Sequence, residues 1–118
     1  MIKIICYTKC TTCQKAKKWL EENSIEYEPR DIKTENPSLD ELKEWYTKSG
    51  LPLKKLFNTS GSLYKSLELK NKLPTMTDDE MLSLLASDGM LVKRPILILE
   101  DVVLFGFNES DWNANLIK

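Results

Sequence analysis

The chain has 118 residues, 42% hydrophobic and 30% charged, enough apolar material for a single core and no requirement for a second domain. Its 17 basic and 18 acidic side chains leave a net charge of −1, which excludes a general electrostatic footprint for nucleic acid or for an acidic membrane. With no histidine, Ser-His-Asp and Cys-His chemistry are excluded as well, so any nucleophile must be activated by a helix end or by cations.

In chain order, Ile2 to Tyr7 is a nearly continuous apolar run, the pattern of a strand buried on both faces. Cys10-Thr11-Thr12-Cys13 follows it and leads into a helix-patterned stretch from Gln14 to Glu22. That helix places Cys13, Ala16 and Leu20 on one face, with Trp19 beside them, and ends near Asn23. Lys15, Lys17 and Lys18 lie on the opposite, solvated face. Ile25 to Asp31 alternates as a strand does, but Pro29 cannot donate to a ladder and assigns it to a sheet edge. Strand, helix and strand make a βαβ unit whose first strand is central.

The middle third reads as helical. Ser38-Leu39-Asp40-Glu41 is a capping box, and Leu39, Leu42, Trp45 and Tyr46 form an apolar stripe that stops at Gly50. Short helical pieces are expected around Leu53 to Phe57 and Leu63 to Leu67, separated by the turn-prone Asn58-Thr59-Ser60-Gly61. Thr77-Asp78-Asp79-Glu80 opens another helix, closed by Asp88-Gly89. Beyond it, Ile96 to Leu99 and Val102 to Phe105 flank a Glu100-Asp101 turn as an antiparallel hairpin, and Asn108 caps a short final helix through Leu116. The simplest packing is α/β, a mixed four-stranded sheet with helices on both faces. One domain is expected over residues 1–118, its core at 1–35 and 90–118 and its helical insert at 36–89.

The three cysteines divide into a pair and a bystander. Cys10 sits where a helix begins, and the unpaired N–H groups and positive dipole end there favour thiolate over thiol. Cys13 lies one turn later on the same face, close enough to resolve a mixed disulfide formed at Cys10. Both sulfurs are expected at the helix mouth. Cys6, among Ile2, Ile4 and Ile5, reads as a small buried hydrophobe. No metal is expected, because only Cys10 and Cys13 have ligand spacing, and no cofactor is expected either. Without a leader pattern or a bilayer-length span, the expected location is the reducing cytoplasm.

Three segments carry a family resemblance: Tyr7-Thr8-Lys9-Cys10-Thr11-Thr12-Cys13-Gln14-Lys15-Ala16, then Leu56-Phe57-Asn58-Thr59-Ser60-Gly61 with Tyr64, then Lys93-Arg94-Pro95-Ile96. In this order they resemble the arsenate reductase family that includes the Spx-type regulators, a glutaredoxin-like thioredoxin fold with a helical insert, and most nearly its reductase-like branch. The resemblance implies that Cys10 is the nucleophile, that Arg94 precedes a cis Pro95, and that Cys13 stands where the reductases usually have serine. A resetting partner of the thioredoxin, glutaredoxin or glutathione type is implied. Lys9, Thr11, Thr12, Asn58 and Pro95 are expected to position substrate or an anion.

The family's reductases use three arginines, and this chain matches only Arg94, with Asn58 and Phe107 at the other two positions. Losing two charge-assisted contacts should weaken arsenate binding severely, so dithiol exchange at Cys10 and Cys13 is the expected chemistry. The alternative implied by the resemblance is a redox-sensing regulator bound to RNA polymerase. Gly50 falls near such a regulator's polymerase contact, although ending a helix is the better account of it.

Overall fold

A computed structural model describes residues 2–117. Strand β1 (Ile2–Cys6) pairs in parallel with β2 (Tyr27–Asp31), and helix α1 (Thr11–Glu22) makes the crossover between them. On its other side β1 pairs antiparallel with β3 (Ile96–Ile98), which continues into β4 (Val103–Phe105). The sheet order is β2-β1-β3-β4, so the apolar β1 is central and the strand containing Pro29 is an edge, as a missing backbone donor requires. Leu99 N–H donates to the Val102 carbonyl at 2.9 Å and closes the hairpin.

Alternation along the strands distributes side chains between two cores. Ile4, Cys6 and Leu97 face α1 and α6 (Glu109–Leu116), packing with Cys13, Ala16, Leu20 and Trp112. Ile5, Ile96 and Val103 face the other way, against Leu42 and Trp45 of α2 (Leu39–Ser49) and the helical pieces that follow it. After α2 come a 3-10 turn (Leu53–Leu56), α3 (Ser62–Ser66), α4 (Leu69–Lys72), a second 3-10 turn (Leu73–Thr75), α5 (Asp78–Ser87) and a third (Gly89–Leu91), and this stretch with α2 makes up the helical insert. It forms the helical layer over one face of the sheet.

Both capping boxes form: Ser38 and Glu41 bond reciprocally at the start of α2, and Thr77 and Glu80 at the start of α5. Gly50 ends α2 at φ 67°, a left-handed value that glycine adopts freely. Boundaries account for the differences from the sequence pattern. Helix α1 starts at Thr11 rather than Gln14, because Thr11 and Thr12 are exposed and add nothing to the apolar periodicity. Strand β2 starts at Tyr27 rather than Ile25, and α4 with its adjoining 3-10 turn has no amphipathic run long enough to announce it.

Glu41 does more than cap. Its carboxylate accepts from Arg30 Nη1 at 2.7 Å and Nη2 at 2.9 Å, tying edge strand β2 to α2, while the guanidinium carbon lies 5.8 Å from the Trp45 ring centroid. These bonds, reinforced by the Ser38 N–H, outweigh partial burial and hold the Glu41 carboxyl at about 2 against an ordinary 4.5. A depressed folded-state value contributes stability above pH 4.5, and that contribution disappears as pH falls towards 2. Solvent screening at this half-exposed pair limits it to roughly 1 kcal/mol. Urea denaturation from pH 6 to pH 2 should therefore show a smaller acid-induced loss in Glu41→Gln than in wild type.

Candidate thiol site

The turn after β1 delivers the first cysteine. Cys10 N–H donates to the Tyr7 carbonyl at 3.0 Å, Gln14 N–H donates to the Cys10 carbonyl at 3.1 Å, and Gln14 Nε2 anchors the Thr8 carbonyl at 2.9 Å. Cys10 is thereby the N-cap of α1, with extended backbone (φ −91°, ψ 118°) and no side-chain capping bond. Its half-buried thiol stands beside the unpaired N–H groups of the first helical turn.

Cys13 is placed differently from its expected position at the mouth. It is 0% exposed, turned beneath Cys10 into the core, because the helix face that carries Ala16 and Leu20 also carries residue 13. Its sulfur contacts Cys10, Cys6 and the Tyr7 backbone. The hydrogen bond to Cys6, and then burial, push the Cys13 thiol well above the usual thiol range. Cys6 is lowered, chiefly by the same bond and against its own burial. Thus Cys6 is a core residue, as the apolar strand predicts, but it also touches the dithiol. Sequence pattern carries no sign of that contact, since a strand end and a helix turn meet there only in the folded chain.

Arg94 approaches from the segment before β3, where the Arg94–Pro95 bond is cis. Its guanidinium lies 5.3 Å from the Tyr7 ring centroid, and Nη1 makes only long contacts to the Met90 and Val92 carbonyls, at 3.4 and 3.5 Å. Nε is buried and has no acceptor among the described residues. Buried Pro95 supports the site from below, its carbonyl accepting from Gly106 N–H at 2.8 Å.

Cys10 and Arg94 open on one cleft of about 700 Å³, together with Thr12, Asn58 and Phe107. Gly61 leaves room for Asn58: a Cβ there would sit 2.7 Å from Asn58 Nδ2. Exposed Lys9 and Thr11, and buried Pro95, are outside the cleft lining. Lys55 and Lys93 line it instead and are the cations that accompany Arg94. Lys93 is adjacent to Arg94 in sequence and could have been anticipated; Lys55 arrives from the insert through tertiary packing. Among the described residues, no group of three His, Cys, Asp or Glu side chains is arranged to hold a metal, and no helix is long and apolar enough to cross a membrane.

The ArsC family model matches residues 6–115. The uncharacterised protein YusI of Bacillus subtilis strain 168 is 54% identical over 109 residues, covering 92% of each chain. The global transcriptional regulator Spx of Listeria monocytogenes is 31% identical over 111 residues, 94% of this chain and 83% of its own. Among solved structures, an ArsC family related protein from Bacteroides fragilis superposes with a TM-score of 0.93 at 54% identity, over 96% of this chain and 97% of that one.

Proposed function

The chain belongs to the ArsC family, and from that premise we propose that it is a thiol–disulfide oxidoreductase working through Cys10 and Cys13. The carrying observation is the stacked pair, a solvent-reachable sulfur at a helix N-terminus with a second sulfur in contact beneath it. Cys10 thiolate attacks one sulfur of a substrate disulfide, forming a mixed disulfide and releasing the other sulfur as thiolate. Cys13 gives up its proton and attacks Cys10, and the substrate's remaining sulfur leaves as thiol. The product is a Cys10–Cys13 disulfide, which an external dithiol or glutathione reduces.

Burial suits Cys13 to this role. A resolving thiol hidden from solvent cannot compete for substrate or be lost to stray oxidants, yet reaches the adduct at Cys10 without diffusion. Arg94, with its unpaired Nε–H, and the two cleft lysines favour a substrate that brings an acidic group next to its disulfide. Lysines are point charges without the planar fork of arginine, and Phe107 offers an apolar wall, so the cleft is a poor match for a multiply charged oxyanion.

The test is mass spectrometry after one equivalent of peroxide, followed by thioredoxin or glutathione systems. Wild type should lose two hydrogens to an internal disulfide and be reset by one reductant over many turnovers. Cys13→Ser should stall as an oxidised or mixed-disulfide form at Cys10, its turnover reduced at least about tenfold. Equal turnover in the two proteins would refute the resolving role. The 31% identity to a transcriptional regulator along nearly the whole chain supports a second reading, a redox switch acting through RNA polymerase. Co-purification with polymerase, lost on oxidation, would select it.

A further inference from the structure

Cys6 is the buried nucleophile that two-thiol chemistry leaves unused. It ends β1 with its side chain on the same face as Ile4, directly under the first turn of α1, and is 3% exposed. Cys13 and Cys6 are buried in one core cluster, and Cys10, which lines the cleft, packs against that cluster. The three cysteines thus lead from half-buried Cys10 at the cleft to the buried pair Cys13 and Cys6. In thiol–disulfide exchange the attacking thiolate approaches a disulfide sulfur and displaces its partner. Once a Cys10–Cys13 disulfide exists, Cys6 is the neighbour of its inner sulfur.

We propose that the three cysteines form a relay in which Cys6 attacks Cys13 of the Cys10–Cys13 disulfide and moves the oxidation inward to a buried Cys6–Cys13 disulfide. The inference rests on the dithiol reading above. The Cys6–Cys13 bond forms and the Cys10–Cys13 bond breaks, with its electron pair leaving on Cys10. The proton lost by Cys6 passes to Cys10 or to solvent. One disulfide is exchanged for another, so no further oxidant or reductant is consumed.

The direction follows from the surroundings. Cys10 leaves at a helix N-terminus, on a cleft lined by Lys55, Lys93 and Arg94 together with Asp111. The new disulfide is uncharged and lies among Ile4, Ala16, Leu20 and Leu97, where neutral sulfur is at home. Cys10 is returned as a free nucleophile while the protein still holds an oxidising equivalent. A chain oxidised once could therefore capture a second disulfide before any reductant arrives.

The tryptic map separates the alternatives, because Lys3, Lys9 and Lys15 place Cys6 in peptide Ile4–Lys9 and both other cysteines in Cys10–Lys15. Full-length protein is oxidised with one equivalent of hydrogen peroxide, alkylated with iodoacetamide before denaturation, digested and sequenced by fragmentation. The relay requires the two peptides to be cross-linked through Cys6 and Cys13, with the alkyl group on Cys10. In Cys6→Ala, or Cys6→Val if the smaller side chain unfolds the chain, the cross-link should vanish and Cys10 alkylation should fall at least tenfold. A wild-type disulfide confined to Cys10–Lys15, or a cross-link through Cys10, overturns the relay and leaves dithiol exchange standing. No internal disulfide at all overturns both.

Discussion

Replacing Cys10 by serine should abolish turnover of a disulfide substrate, by at least about a thousandfold, or roughly 4 kcal/mol of lost transition-state stabilisation. The same substitution should stabilise the fold. Cys10 occupies the N-cap of α1 without making a side-chain capping bond, whereas a serine hydroxyl there can accept from the backbone N–H of Thr12 or Cys13. A capping bond of this kind contributes about 0.5–2 kcal/mol. Opposite signs in two measurements distinguish a nucleophile from a packing residue: the insulin-reduction or mixed-disulfide assay goes to background while the denaturation midpoint rises. A variant that loses stability in step with activity would assign Cys10 a structural role. A poor N-cap residue at the start of a twelve-residue helix is a concession of stability that its chemistry explains.

The largest stability loss is expected at Trp112. Its ring is fully buried, meets Phe107 edge-on at 4.9 Å and Trp19 at 6.0 Å, and its indole N–H donates to the Gly106 carbonyl at 3.2 Å. Trp112→Ala removes apolar area, two aromatic contacts and a buried hydrogen bond together, and should cost about 3–5 kcal/mol. Urea melts would show the midpoint falling with the slope preserved; a loss below about 1 kcal/mol would contradict the packing described. Trp112→Phe should cost less, because the ring stays while the Gly106 carbonyl loses its donor. Since Phe107 leans on Trp112 and also lines the cleft, Trp112→Ala should weaken substrate capture as well. This aromatic cluster links core packing to the shape of the site.

The helices legible in sequence were those with capping chemistry and sustained periodicity. Ser38 with Glu41 and Thr77 with Glu80 are short-range devices whose geometry depends on residues three apart, and both form as their sequences require. Likewise Pro29 placed its strand at the edge through the absence of one N–H. Helix α4 and the 3-10 turn that adjoins it gave no comparable signal, because their few apolar residues, Leu69 and Leu73, are held by contact with the rest of the insert rather than by local preference. Of the residues the sequence nominated, Cys10, Thr12, Asn58 and Arg94 line one cleft. Lys9, in the turn before α1, and Thr11, in its first turn, belong to the same motif but fall outside the lining, because adjacency along the chain does not determine which way a turn or a helix presents its side chains.

What the sequence by itself determined is the alternation of strands and helices, the edge and centre of the sheet, the helix caps, and a thiol at the start of α1. Each depends on residues within about one turn or one strand of each other, where propensity, periodicity and hydrogen-bonding capacity act directly. Only the tertiary structure decided that Cys13 is buried beneath Cys10, that Cys6 touches it, and that Lys55 of the insert joins Lys93 and Arg94 around the cleft. Those arrangements depend on how α1 and the insert settle on the two faces of the sheet. That settling is governed by the complementary filling of two cores, a collective property of side chains far apart in the chain.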